Sequence, residues 1–417
     1  MRLTQLVLTN FRSFSRLDLP LSAGPILLHG DNAQGKTTLL EAIYYLATSR
    51  SPHTSSDRQL LNWYAVQPSD LVTVGRLTGV VQPAGESRPR NLEIRLIHEQ
   101  SGSQNDPSFR REVLVNGVKV RMMDLLGNLN VVLFLPEDVG LVSAPPAERR
   151  RYMDITLCQV DRHYCKSLSR YNRVLSQRNA LLRTFQERRR QSETAAQLEP
   201  WDQKLSELGA IVMLRRAALT NELESRAGQI HFHDLTGEAE SLRLVYLPRL
   251  SPNNHSKTSK MQPGTENLNG WLLTSSTEEV AIRLRELLQK SRPLDLQRGV
   301  TLVGPHRDDL RFQVNGRDLS EYGSRGQQRT AIMALKLAEV VWMEEQTGER
   351  PVLLLDEVLA ELDQTRRAYL LQRVAMAEQA ILTATDPRMF TDEFLAQASQ
   401  LEVSSGQVLS GRLDGTA

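Results

Sequence analysis

Hydrophobic positions along the chain repeat with two different periods, and the switches between them outline its elements. MRLTQLVLTNF at the start reads as a strand, and the unbroken apolar run of Pro25, Ile26, Leu27 and Leu28 reads as a buried one. Leu39, Leu40, Ile43 and Leu46 then recur at helical spacing over 38–47. Residues 71–77, 92–98 and 111–115 return to strand character, with Asn116-Gly117 as a hairpin turn. From Tyr164 the period lengthens through Leu168, Tyr171, Leu175, Leu182 and Phe185; Glu199-Pro200 is expected to break the chain before Leu205, Leu208, Val212, Leu219 and Leu223 resume it. That pair predicts a short antiparallel helical arm. A polar stretch, 251–270, reads as a mobile loop, and Ser276 with Glu279 forms a capping box opening a helix through 290. Residues 310–314 and Asn315-Gly316 repeat the strand-and-hairpin signature. A helix over 329–343, carrying Ile332, Leu335, Leu337 and Val340, an apolar strand over 351–355 and another over 380–383 follow. The order predicts an α/β fold: an ATPase lobe with a mostly parallel core sheet and a flanking antiparallel β subdomain, into which a helical arm is inserted.

The strand-to-helix junctions carry the chemistry. Gly30, Gly35, Lys36 and Thr37 satisfy G-x-x-x-x-G-K-[ST], with Asp31, Asn32, Ala33 and Gln34 between the glycines and Thr38 after them. Glycines let backbone N–H groups turn inward on phosphates, the lysine reaches the β/γ oxygens, and the threonine ligates Mg²⁺. The preceding strand and following helix are the context this cradle needs, since a helix N-terminus faces the anion. Late in the chain, the apolar strand ends in Asp356-Glu357. Beside a phosphate cradle, this pair is expected to give one carboxylate, Asp356, to the metal side and the other, Glu357, to the attacking water as general base. A solvated acidic turn is the alternative.

Between these elements lies Tyr322-Gly323-Ser324-Arg325-Gly326-Gln327-Gln328, a Gly/Ser turn opening a helix. Its place, one helix before the acidic strand, is that of the ABC signature motif, which acts in trans on a nucleotide held by a second copy. Ser324, Gly326 and Gln327 are its candidate contacts, and Asp363 in Ala360-Glu361-Leu362-Asp363 stands where ABC ATPases carry a dimer-contact loop. The succession TNFRSF, GDNAQGKTT, FLPEDVGLVSAPPAERRRYMD, GPHRDDL, YGSRGQQRT and LLLDEVLAELD resembles the bacterial RecF family of recombination mediators from end to end. The resemblance is close in the nucleotide lobe and general in the middle. It implies an SMC-like ABC ATPase that forms an ATP-dependent homodimer on duplex and gapped DNA, hydrolyses ATP slowly, and helps load recombinase with RecR and RecO as partners. It also implies that residues 10–14 form a nucleotide-contacting turn with Arg12 facing the ligand. Two departures from the wider ABC pattern stand out. Residues 134–138 offer carboxylates where a glutamine loop is expected, with Glu137 as the metal or water contact, and Thr385-Asp386 replaces the switch histidine.

Composition adjusts the picture only slightly. A chain of 417 residues with 40% hydrophobic and 24% charged residues accommodates two or three domains, and its net charge of +2 advertises no nucleic acid. Locally the charge is uneven: Arg149, Arg150, Arg151, Arg162, Lys166, Arg170, Arg173, Arg178, Arg183, Arg188, Arg189 and Arg190 gather in one section. Such a stripe either tracks DNA phosphates or is the solvated face of a long helix. Cys158 and Cys165, two turns apart on one helix, are placed for neither a disulfide nor zinc, and His306 reads as a structural histidine. The distance from Lys36 to Ser324 requires an inserted domain: ATPase lobe 1–154 and 297–417, arm 155–296. No apolar run approaches membrane-spanning length, which predicts a cytoplasmic protein. An ABC transporter ATPase, a structural SMC-type clamp and a P-loop kinase remain as alternatives.

Overall fold

A computed structural model describes residues 1–66, 70–100, 108–188, 194–250 and 265–410, so the arginines at 189 and 190 and most of the 251–270 stretch lie outside the described residues. The chain divides into two compact units, Met1–Asp138 with Glu339–Ala417, and Val139–Ala338. Residues 139–154 and 297–338, expected in the ATPase lobe, thus belong to the second unit. The reason is packing: the helix that follows Pro145 lies on the long helices and on the strand after GPHR, all within that unit.

The first unit holds two six-stranded sheets. In one, β1 (Arg2–Phe11), β2 (Phe14–Pro20), β4 (Val72–Gln82), β5 (Arg90–Glu99), β6 (Ser108–Val115) and β7 (Val118–Val120) pair antiparallel in the order β2-β1-β4-β5-β6-β7. Asn116 and Gly117 turn β6 into β7 with φ of 52° and 77°, the left-handed pair that a two-residue hairpin demands. In the other, β3 (Gly24–His29), β8 (Val131–Phe134), β12 (Val352–Asp356), β13 (Gln379–Ala384), β14 (Ser399–Ser404) and β15 (Gln407–Ser410) run in the order β15-β14-β3-β13-β12-β8, parallel except for the last hairpin. Helix α1 (Lys36–Thr48) shares one core with both sheets. Leu39, Leu40, Ile43 and Leu46 pack with Leu3, Leu6, Leu8, Leu77, Ile94, Leu354 and Ile381. Sheet on either side explains why α1 is buried almost all round rather than along a stripe. Short α2 (Met122–Leu125) and, near the C-terminus, α10 (Gln364–Ala375) and α11 (Asp392–Gln397) complete the unit.

In the second unit, α3 (Pro146–Val160), α4 (Arg162–Arg188), α5 (Thr194–Gln229), α6 (Thr265–Thr274) and α7 (Thr277–Arg298) accompany a three-stranded sheet of β9 (Leu242–Leu247), β10 (Asp309–Val314) and β11 (Arg317–Asp318). The Ser276–Glu279 capping box forms as expected, and Asn315-Gly316 turns β10 into β11. Pro200 does not break the chain. Helix α5 runs through it, and Ala196, whose carbonyl loses its helical partner, is exposed. Both α4 and α7 pack along α5, and their shared interior is ionic: Arg178, fully buried, donates to Asp202 at 2.7 Å, Asp295 at 2.8 Å and Thr301 at 2.8 Å. Short α8 (Leu319–Tyr322) leads into α9 (Arg325–Thr347).

Candidate nucleotide site

Parallel pairing in register brings the carboxyl ends of four strands to one edge. Thr383 lies opposite Leu28 on one side and Asp356 on the other, Ala384 opposite His29, and Phe134 opposite Leu355. Open parallel sheets bind ligands at that edge, and here the glycine loop leaves β3 directly into α1. Gly30, Ala33 and Gly35 take φ of 143°, 64° and 113°, the left-handed half of the map that turns successive N–H groups to one side. Gly30 has a second reason to be glycine, because a Cβ there would overlap the carbonyl oxygen of Val403. Gly35 is likewise pressed by the ring of Phe14, 3.0 Å from where a Cβ would stand. Helix α1 begins with no capping side chain and no acidic residue in its first turn, so its orphan N–H groups and positive dipole end have no anion of their own.

Lys36 is buried beneath this loop. Its Nζ donates to the carbonyls of Gly30 at 2.7 Å and Asp31 at 3.0 Å and lies 3.4 Å from Glu357 Oε1. Thr37 Oγ1 donates to Asp356 Oδ1 at 3.1 Å, and Thr383 Oγ1 donates to the same oxygen at 2.6 Å. Thr383 Oγ1 in turn accepts from the backbone N–H of Glu357 at 3.0 Å. The sequence reading missed Thr383, whose only signal is its place at the end of the strand beside Asp356. Glu357 itself has φ of 48°, a left-handed turn that ends the strand and leaves its side chain 40% exposed. Asp31, Asn32 and Ala33 line the exposed mouth of the loop and Thr38 is half-buried in the first turn of α1, whereas Gln34 is tied back: its Oε1 accepts from Ser405 N at 2.6 Å and its carbonyl from Gly406 N at 3.4 Å. At His29, burial outweighs the raising effect of Glu402 and, with the Lys36 ammonium, holds the imidazole below its ordinary pKa.

A buried ammonium, an uncapped helix N-terminus and a hydroxyl–carboxylate pair fit a polyphosphate carrying a divalent cation. Among the described residues no cluster of three acidic, His or Cys side chains could hold a metal alone.

The remaining candidates fall in several places. Arg12, at φ 51°, has its guanidinium on Glu41, donating at 2.9 and 2.7 Å, and on the Gln59 carbonyl at 3.1 Å, so it is held by α1 rather than turned outward. Glu137 is exposed in the turn after β8, where Asp138 accepts from Leu135 N at 2.8 Å. Asp363 caps α10, accepting from Arg366 N at 3.0 Å, a bond that with the Arg366 charge lowers its pKa. Past β13, the carboxylate of Asp386 is engaged by Arg388 at 2.9 and 3.0 Å. In the second unit, Ser324 and Gln327 form a reciprocal box at the start of α9: Gln327 N donates to Ser324 Oγ at 3.2 Å and Ser324 N to Gln327 Oε1 at 2.9 Å. Ser324 and Gly326 are exposed there.

The arginine stripe divides. Arg149 is buried, its fork on Asp309 at 2.7 and 2.9 Å, and Arg150 donates to the Asp308 carbonyl at 2.6 Å, so both serve the interior of the unit, as Arg178 does. Arg151 is half-buried, and the side chain of Arg188 lies outside the described residues. Arg162, Lys166, Arg170 and Arg173 form the exposed face of α4. His306 is structural: half-buried, with Tyr171 at 2.7 Å and the Thr301 carbonyl at 3.0 Å, it is pushed by desolvation down to about 3.

Comparison with known proteins places the chain in a family. Residues 2–405 match the profile of the RecF/RecN/SMC N-terminal domain family. The DNA replication and repair protein RecF of Chloroflexus aggregans is 41% identical over 99% of this chain and its own full length, and that of Bacillus pumilus is 36% identical over 98% of this chain and its own full length. The solved structure of the recombination mediator protein RecF-ATP in the RecFOR pathway superposes with a TM-score of 0.80 at 30% identity, covering 98% of this chain and 97% of that one. The Smc head domain of Pyrococcus furiosus, at 15% identity and a TM-score of 0.50 over 99% of this chain and 96% of that one, shares the fold.

Proposed function

The chain belongs to the RecF family, and from that premise we propose that it is an ATP-dependent DNA repair protein whose two copies close head to tail over two nucleotides. When bound, Mg·ATP supplies a transferable phosphoryl group and the charge that draws the copies together. The chain's own residues do the rest. The loop from Gly30 to Thr38 offers backbone N–H groups, Lys36 stabilises charge on the phosphates, Thr37 and Asp356 take the metal side with Glu137 at the neighbouring strand end, and Glu357 accepts a proton from the attacking water. Ser324, Gly326 and Gln327 cap the nucleotide held by the partner's loop, and Asp363 lies at the contact between copies. DNA is gripped as duplex beside a single-strand gap, RecR and RecO act with the closed dimer in loading recombinase, and slow DNA-stimulated hydrolysis releases it. The protein works in the cytoplasm.

The observation that carries this reading is the convergence of Lys36 on Glu357 and of Thr37 on Asp356, which joins the glycine loop to the acidic strand across more than three hundred residues of sequence. The deciding experiment is the light-scattering mass on gapped duplex DNA, with and without Mg·ATP, for the native chain and Ser324→Arg. Mass that doubles only with ATP and only with Ser324 intact supports the reading; monomeric binding indifferent to ATP removes the trans role of Ser324.

A further inference from the structure

Gln327 has two partners, and only one belongs to its own turn. Its Oε1 accepts from Ser324 N, and its Nε2 donates at 2.7 Å to Oε1 of Glu240. This fixes the amide's orientation, since the oxygen must face a donor and the nitrogen a carboxylate. Glu240 lies just before β9, after α5 has loosened into a π-turn, Ile230–Leu235. Wide turns of that kind recur at functional positions.

Glu240 is held at both its backbone and its side chain: its Oε2 lies 4.0 Å from Nε2 of His231. Its carbonyl lies 3.0 Å from Nδ1 of buried His231 and accepts from Thr236 Oγ1 at 3.4 Å. The next residue, Ser241, exchanges two bonds with the turn residue Asn315, donating to its Oδ1 at 2.9 Å and accepting from its N at 3.0 Å. Asn315 opens the β10–β11 hairpin, and that hairpin leads through α8 into the Ser324 turn. The carboxylate therefore reaches Gln327 from a backbone already anchored to the element that presents the turn.

We propose that Glu240 is the positioning residue of the signature turn, orienting Gln327, and through it Ser324, for the partner copy's nucleotide from the base of the helical arm. The inference rests on the trans role of Ser324 proposed above. A change at the arm's base that withdraws Glu240 frees the Gln327 amide to rotate and releases Ser324 N, so the turn loses its orientation without losing its fold. Loss of a hydrogen bond to a charged acceptor is worth on the order of ten-fold in an equilibrium constant. The bond lies within one copy and is present in the free monomer too, so its loss acts on dimerisation through the fraction of turns held in the binding orientation, by about ten-fold at most per turn; a two-fold dimer uses two turns, which bounds the weakening of its dissociation constant at on the order of a hundred-fold.

The test compares native protein, Glu240→Ala, Glu240→Gln and Ser324→Arg by sedimentation in Mg·ATP, with affinity of the monomer for a fluorescent ATP analogue and the melting temperature measured alongside. The expected result is dimer affinity reduced by up to about a hundred-fold in Glu240→Ala and largely restored in Glu240→Gln, whose amide oxygen still accepts, with monomer nucleotide affinity unchanged and melting lowered by no more than a few degrees. In a Gln327→Ala background, Glu240→Ala should weaken the dimer no further. Native-like dimerisation of Glu240→Ala while Ser324→Arg stays monomeric overturns this inference and leaves the trans reading standing. Dimerisation by Ser324→Arg overturns the trans reading itself. A loss in Glu240→Ala that persists undiminished without Gln327, or that Glu240→Gln does not restore, assigns Glu240 a merely structural part.

Discussion

Glu357→Gln separates two effects that the site superimposes. The carboxylate stands 3.4 Å from the Lys36 ammonium, with the lysine buried and the glutamate 40% exposed. Two unit charges at that distance interact by about 1 kcal/mol in water and several times that at the protein surface value of the dielectric. Because Glu357 is well exposed, the lower figure applies. Removing the charge should cost folding no more than about 1 kcal/mol, a shift in melting of a few degrees at most. It should also free Lys36 for phosphate, raising ATP affinity by about five-fold, the equivalent of 1 kcal/mol. Gln keeps the shape and tolerates the same left-handed backbone, so charge alone changes. Loss of the base should slow single-turnover phosphate release by about 10² to 10⁴. Titration with a fluorescent ATP analogue and rapid-quench turnover read the two effects separately, and the ATP-bound dimer should accumulate. Turnover within two-fold of native would remove Glu357 from the catalytic role, and ATP affinity that falls would refute the competition for Lys36.

Three further perturbations test the frame around the site. Arg178→Met leaves the buried Asp202 and Asp295 without their shared partner and should cost about 3–5 kcal/mol in urea unfolding; a loss below 1 kcal/mol would sink the account of the arm's ionic interior. Glu199, held down to about 2 by hydrogen bonds from Arg285 and Arg292, contributes stability above the unfolded value near 4.5 that is lost as pH falls toward 2. Glu199→Gln should therefore be less stable than native by about 1 kcal/mol at pH 7, after allowance for its exposure, and equal to it near pH 2; a gap that widens in acid contradicts the sign. Finally, if the exposed face of α4 tracks DNA, Lys166→Ala with Arg170→Ala should reduce the slope of log affinity against log salt by about two, and an unchanged slope assigns that face to solvent alone.

Local chemistry was legible in the sequence wherever a motif and its flanking elements occur together. The glycine loop between an apolar strand and a helix, the acidic pair ending a second strand, both Asn-Gly hairpins and the Ser276 capping box all describe interactions within a few residues. Side-chain partners distant in sequence were not legible. Arg149, Arg150 and Arg178 belong by composition to a basic stripe, but the stripe has no visible counter-charges until folding brings Asp202, Asp295 and Asp309 to it. Arg12 shows the same limit, since Glu41 lies a whole glycine loop away. Pro200 misled because a proline's cost inside a helix depends on whether the carbonyl it orphans can reach water, which is a property of the packed surface. The extent of the second unit was hidden for a related reason, as α3 carries a family motif and yet packs with the arm.

Thr383 bears on how the proposed hydrolysis could be gated without a switch histidine. Its hydroxyl links Asp356 Oδ1 to the backbone of Glu357, so the metal-side carboxylate and the base share one support on β13. That hydroxyl can donate only one proton, and Asp356 Oδ1 already accepts from Thr37 as well. A cation drawing on Asp356 would therefore weaken the pull on both hydroxyls and shift the support under Glu357. The chain has no histidine after β13, the Asp386 carboxylate is committed to Arg388, and the His29 imidazole at the same sheet edge is held by burial below its ordinary pKa, so no protonated histidine is offered there at neutral pH. A base without a matching acid forgoes part of the acceleration that paired acid–base catalysis provides. On the proposed assignment, the closed dimer would then persist for long periods between turnovers, as holding a DNA junction while other proteins act on it requires.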